Sequence, residues 1–213
     1  MLKTEWFRRS TWTATDRQDF HARLNRSRTA ASKAQYLRIQ ACHLAEAGYH
    51  LPAIELLDLL LDKFPQRTEL AQAFGQKAPS LASLGKIDAA VEQFIAALDA
   101  ERRFPNVKTN AWLEFSLFVA ENELSDLYDE IIKVLEEFAT PDSLTFPILE
   151  YQYWAARSII ANFRDDTEAC IFAQRALDAA SKEHSGFRYH PKLGLVTRES
   201  SQLTERLIKI ATP

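Results

Sequence analysis

Apolar positions in residues 34–65, AQYLRIQACHLAEAGYHLPAIELLDLLLDKFP, recur every three or four residues. Leu37, Leu44, Ile54, Leu57 and Leu60 fall on one seam. That period predicts two helices. Gly48 suits the left-handed residue after a helix end, and Pro52 suits the first turn of the next helix. The small residues Ala41 and Ala53 stand where two antiparallel axes approach each other, and Pro65 closes the unit. The pattern returns 37 residues later in AQAFGQKAPSLASLGKIDAAVEQFIAALDA. Ala78, Leu81, Gly85, Ala90, Phe94 and Ala97 replace Ala41, Leu44, Gly48, Ala53, Leu57 and Leu60.

The same reading extends along the chain. In residues 150–181, Tyr153, Ile160, Ala169, Ala173 and Ala176 take the matching places. Residues 109–140 give two more helices, with extra residues in their turn and Ile131 where Ala is expected. DRQDFHARLNRSR, capped by Thr13 or Thr15, predicts a further helix with Phe20 and Leu24 on one face. RESSQLTERLIKI predicts a terminal helix with Leu203, Leu207 and Ile210 on one face. Asp165-Asp166 suits a helix start. Gly75 and Pro79 are four apart within one expected helix. The missing N–H and the ring of Pro79 predict a kink or break there.

This arrangement of small and large residues, repeated at about 34 residues, resembles the tetratricopeptide repeat. The resemblance covers residues 34–181. The first two units match closely, the fourth less so, and the third is degenerate. It implies an all-α, right-handed superhelix of antiparallel helix pairs. A single pair cannot bury its own apolar face, so three or more must stack. The expected whole is one α-solenoid domain over 1–213: a basic, aromatic-containing cap at 1–33, about four pairs at 34–181, and a loop with a capping helix at 182–213. With its aromatic-rich start and its EHSGFRYHPKLGLV segment, the chain also resembles a group of bacterial tetratricopeptide-repeat proteins, which implies no activity.

The resemblance further implies that certain positions of each first helix face a concave groove. They are Gln35, Arg38 and Cys42 in the first unit and Gln72, Gln76 and Pro79 in the second. The third contributes Asn110, Leu113 and Glu114, and the fourth Tyr151, Trp154 and Ser158. Such a mixed polar and aromatic surface suits an extended peptide or a partner helix. The expected binding set is Arg38, Gln72, Gln76, Asn110, Glu114, Tyr151 and Trp154, with a core role as the alternative for Trp154. Family members that clamp a chaperone's C-terminal carboxylate use a Lys, Asn and Arg set. Here only Arg38 fits, and Cys42 stands where Asn is wanted, so chaperone binding is not expected.

Composition narrows the class. Apolar residues make up 46% and charged residues 26%, as in ordinary globular proteins. With 5 Gly and no Asn-Gly or Asp-Gly turn, a sheet-rich fold is disfavoured. No apolar run approaches the roughly 20 residues that span a bilayer. MLKTEWFRRSTW lacks an apolar core of signal-peptide length, so the expected location is cytoplasmic.

Charge raises a second reading. Residues 1–38 hold nine Lys or Arg against three acids, within a chain of net charge −3. A basic arm using Arg8, Arg9, Arg23, Arg26 and Arg28 would bind nucleic acid. Trp6, Phe7, Trp12, Phe20 and Leu24 are interleaved with those charges and favour docking on the chain's own core instead.

Candidate chemistry is sparse. No phosphate loop, nucleophile elbow, His-Glu-x-x-His or calcium loop is present. Cys42 and Cys170 have no second ligand at zinc-site spacing and read as small helix residues. No cofactor or metal is expected. The one dense polar cluster, 183–194, holds His184, Arg188, Tyr189 and His190. It reads as a turn at Gly186 carrying packed aromatics, with binding or acid–base catalysis as alternatives. The expected function is a non-catalytic protein or peptide interaction module. The alternatives are nucleic-acid binding through the N-terminal segment and an enzyme built on the 183–194 loop.

Overall fold

The computed structural model describes residues 6–197 and 201–212. Among these residues there are ten α-helices and no strand. They are α1 (Ala14–Arg26), α2 (Ala30–Glu46), α3 (His50–Lys63), α4 (Arg67–Ser83), α5 (Ile87–Arg103), α6 (Ala111–Glu121), α7 (Tyr128–Phe138), α8 (Pro147–Phe163), α9 (Ala169–Ala180) and α10 (Ser201–Ala211). Short 3₁₀ turns at Ser125–Leu127 and Pro141–Leu144 precede α7 and α8. The chain divides into two compact units, Met1–Ala111 and Trp112–Pro213.

In the first unit, α2 packs on α3, α4 on α5, and α4 also on α2 and α3. The predicted small positions sit at the close approaches: Ala41, Ala53, Ala78 and Ala90 are all fully buried. Leu44, Leu57, Leu60, Phe94 and Ala97 fill the space around them. Gly48 and Gly85 adopt the left-handed conformation, with φ of 82° and 72°. α1 is opened by Thr13, which forms a capping box with Asp16. Its Phe20 and Leu24 join Leu37, Leu44 and Leu60 in one core cluster, which also takes in Trp12.

The hairpin turn is the most regular feature of the chain. After α2 the Tyr49 N–H donates to Leu44 O at 2.8 Å, and after α4 the Lys86 N–H donates to Leu81 O at 3.0 Å. The same six-to-one bond closes α6 (Leu124 N–H to Val119 O, 3.1 Å) and α8 (Asp166 N–H to Ala161 O, 3.0 Å). This is the Schellman closure of a helix end. Its left-handed residue is Glu123 (φ 54°) after α6 and Asp165 (φ 55°) after α8. Asp165 therefore ends α8 as the counterpart of Gly48 and does not start a helix.

That bond corrects the register of the fourth hairpin by one residue. Ala161, not Ile160, is the counterpart of Leu44, so Ser158 corresponds to Ala41 and Trp154 to Leu37. Burial agrees: Ser158 is fully buried, and its hydroxyl donates to Ala169 O at 3.0 Å across the α8–α9 seam. In the third hairpin Ile131 stands buried at the predicted Ala position.

The expected break in α4 does not occur: the helix runs unbroken from Arg67 to Ser83 with Pro79 inside it. Pro79 is exposed and costs one hydrogen bond. The burial of Ala71, Ala73, Ala78 and Leu81 along the same helix outweighs that loss. Gly75 is buried, and a Cβ there would lie 3.6 Å from Ala111 Cβ.

Candidate functional site

The expected groove residues of the first unit are partly engaged with each other. Arg38 is half-buried on α2, and its Nε donates to Glu69 Oε2 of α4 at 2.5 Å. With the Gln76 amide turned over, the orientation that satisfies both of its ends, its oxygen accepts from Arg38 Nη1 at 3.2 Å and its nitrogen donates to Arg38 O at 3.3 Å. Arg38 thus ties α2 to α4 before any partner arrives. Gln72 is half-buried, and Asn110 is exposed just ahead of α6 rather than on it. At Cys42 burial, then the neighbouring Glu46 carboxylate, pushes the thiol pKa up.

In the second unit Glu114 is exposed on α6. Tyr151, expected in the groove, is buried instead, at 3% exposure. The register slip is the reason, since Tyr151 and Trp154 take the seam positions of Ala34 and Leu37. Trp154 is too large to be swallowed by that seam and stays half-buried. It stacks on Phe172 of α9 with centroids 5.4 Å apart and planes at 25°. Arg175 lies over the Trp154 ring at 4.5 Å, and Arg157 over the Phe172 ring at 4.7 Å. Arg157 also donates to the Tyr153 hydroxyl at 3.0 Å. Two guanidiniums thus bracket an aromatic pair at the α8–α9 surface. The sequence reading missed both arginines. Their signal was the i,i+3 spacing of Trp154 with Arg157 and of Phe172 with Arg175.

The 183–194 loop is folded around Ser185, which is buried at 8% exposure. Its N–H donates to Pro191 O at 2.8 Å, its hydroxyl donates to His190 O at 2.8 Å, and the Phe187 N–H donates to that hydroxyl at 3.3 Å. Phe187 stacks on Phe146 at 5.1 Å, and the Ile148 N–H donates to Gly194 O at 2.9 Å. Gly194 must be glycine, because φ is 68° and a Cβ would come within 2.6 Å of Phe146. His184 spends Nδ1 accepting the Gly186 N–H at 2.9 Å. His184, Arg188, Tyr189 and His190 are all exposed, with Arg188 over the Tyr189 ring. Among the described residues no three His, Cys, Asp or Glu groups lie close enough to hold a metal ion.

The N-terminal segment docks on its own unit. Residues 6–13 are non-helical. Trp6 contacts Phe7, Phe20 and Tyr36 with centroids 5.4, 5.4 and 4.9 Å away. The buried Gln40 amide grips the backbone of Arg9 twice: it accepts from Arg9 N–H at 3.0 Å and donates to Arg9 O at 2.8 Å. Of the arginines proposed for nucleic acid, Arg9 is taken up by Asp16 and Asp19, and Arg23 by Asp19. Arg8, Arg26 and Arg28 stay exposed. Comparison with known proteins adds nothing to this geometry: no family model, curated protein or solved structure matches the chain.

Proposed function

We propose that this chain is a non-catalytic binding module of tetratricopeptide-like hairpins, stacked as a right-handed superhelix, that holds an extended segment of another protein in the cytoplasm. One observation supports it above the rest. A hairpin of this chain already holds a non-helical segment, its own residues 6–13, by aromatic contacts and by the paired backbone bonds of Gln40. Backbone bonds with alternate side-chain pockets are a general way to bind extended peptides. Trp154, half-buried and flanked by arginine, has the character of an interface anchor. No described helix is long and apolar enough to cross a membrane.

The test is selection of a displayed random 12-residue peptide library on the full chain. We expect enriched peptides whose affinity falls about tenfold or more in Trp154→Ala, while His184→Ala with His190→Ala changes nothing. No enrichment would contradict the reading. Loss of binding in the histidine variant alone would move the site to the 183–194 loop.

A further inference from the structure

Building on the peptide-binding reading, we propose that the α8–α9 face recognises an acidic segment of its partner, one carboxylate meeting Arg175 and another Arg157. The guanidinium carbons of Arg175 and Arg157 lie 4.5 and 4.7 Å from the centroids of the Trp154 and Phe172 rings, and a ring contact leaves guanidinium N–H groups to recognise an acceptor. Neither arginine meets a carboxylate among the described residues, and Arg157 bonds only the Tyr153 hydroxyl. Carboxylates are not scarce: residues 112–213 contain 17 acids against 10 bases. Other cations of this unit do find acids, Arg164 on Asp129, Lys182 on Glu150 and Arg206 on Glu123. Arg157 and Arg175 have no such acid among the described residues, and they lie against aromatic rings instead.

By the turn register, Arg157 corresponds to Gln40 in the first hairpin and Lys77 in the second. Gln40 grips the Arg9 backbone, and Lys77 pairs with Asp58 of α3 at 2.7 Å. At both sites this position holds a neighbouring segment, whereas Arg157 keeps donors to spare.

Carboxylates fit better than a nucleic-acid strand. Single-strand binders need free aromatic faces for bases to stack on. Here each ring is already covered by the other and by a guanidinium. The ring contacts also restrain both arginine side chains in advance, so less side-chain freedom is lost on binding.

Fluorescence anisotropy tests this with the full chain and three labelled probes: a 15-residue (Glu-Gly-Ser) repeat peptide, its (Gln-Gly-Ser) counterpart, and a 15-nucleotide oligothymidylate. The Glu peptide should bind about tenfold or more tightly than the Gln peptide. Arg175→Gln, at an exposed position, should remove that preference with helical content unchanged, and Arg175→Lys should restore it only in part. Equal binding of Glu and Gln peptides would overturn the acidic specificity while leaving peptide binding intact. Tighter binding of the oligothymidylate would replace the protein partner with a nucleic acid. If no probe binds but library-selected peptides do, the acidic inference alone fails. If neither binds, both readings fail.

Discussion

Single residues carry much of the specification. Asp16 accepts the Thr13 N–H, the hydroxyls of Thr13 and Thr11, and a guanidinium N–H of Arg9. The Thr13 backbone bond is the largest cause that holds its carboxyl well below the usual carboxylate range, followed by the hydroxyls. A depressed folded pKa gives stability that is present above the unfolded value of about 3.9 and lost as pH falls through the folded one. Acid titration followed by tryptophan fluorescence should therefore show the Trp6 and Trp12 environment surviving to lower pH in the wild type than in Asp16→Asn. Identical titration curves would remove Asp16 from the account. Ala53 and Ala90 work by size. Each has no exposed surface, so Leu at either site overpacks the hairpin and should cost about 1–3 kcal/mol in denaturant unfolding. These alanines were legible because small residues recurred at a fixed spacing. Glu123 and Asp165 were not, since nothing in their side chains marks them for the left-handed turn that Gly48 and Gly85 announce.

At the scale of elements, hydrophobic period gave the helices and the turn chemistry gave most of their ends. It failed where two signals competed. In α8 both Ile160 and Ala161 are buried, so period alone does not choose between registers one residue apart. The Asp166–Ala161 bond chooses, and with it Tyr151 leaves the expected groove for the interior and Trp154 packs on Phe172 of α9. In α4 a strong local signal, Pro79, was overridden by packing on either side. Pro79 still removes one hydrogen bond from an exposed position, so Pro79→Ala should stabilise the protein. The gain is bounded by the helix cost of proline, about 3 kcal/mol. An unchanged or lowered denaturation midpoint would mean that the backbone around Gly75 has adapted to the proline.

At the scale of the whole molecule, the all-α class followed from period and composition, while the candidate site did not. Arg157 and Arg175 came into view only when α8 and α9 brought Trp154 and Phe172 together, because contacts across a hairpin are invisible to local pattern. Conversely, Arg38 looked free in sequence and is occupied by Glu69, thirty-one residues away. The basic N-terminal run, whose interleaved aromatics favoured docking over a free arm, packs on its own unit, with aromatics at the core and two of its arginines on Asp16 and Asp19. The measurement that bears most directly on the account is hydrogen–deuterium exchange of the full chain with and without a library-selected peptide. Slowed exchange is expected in α8 and α9 around Trp154 and Phe172, with no change in the 183–194 loop. Protection confined to that loop, with α8 and α9 unaffected, would contradict it.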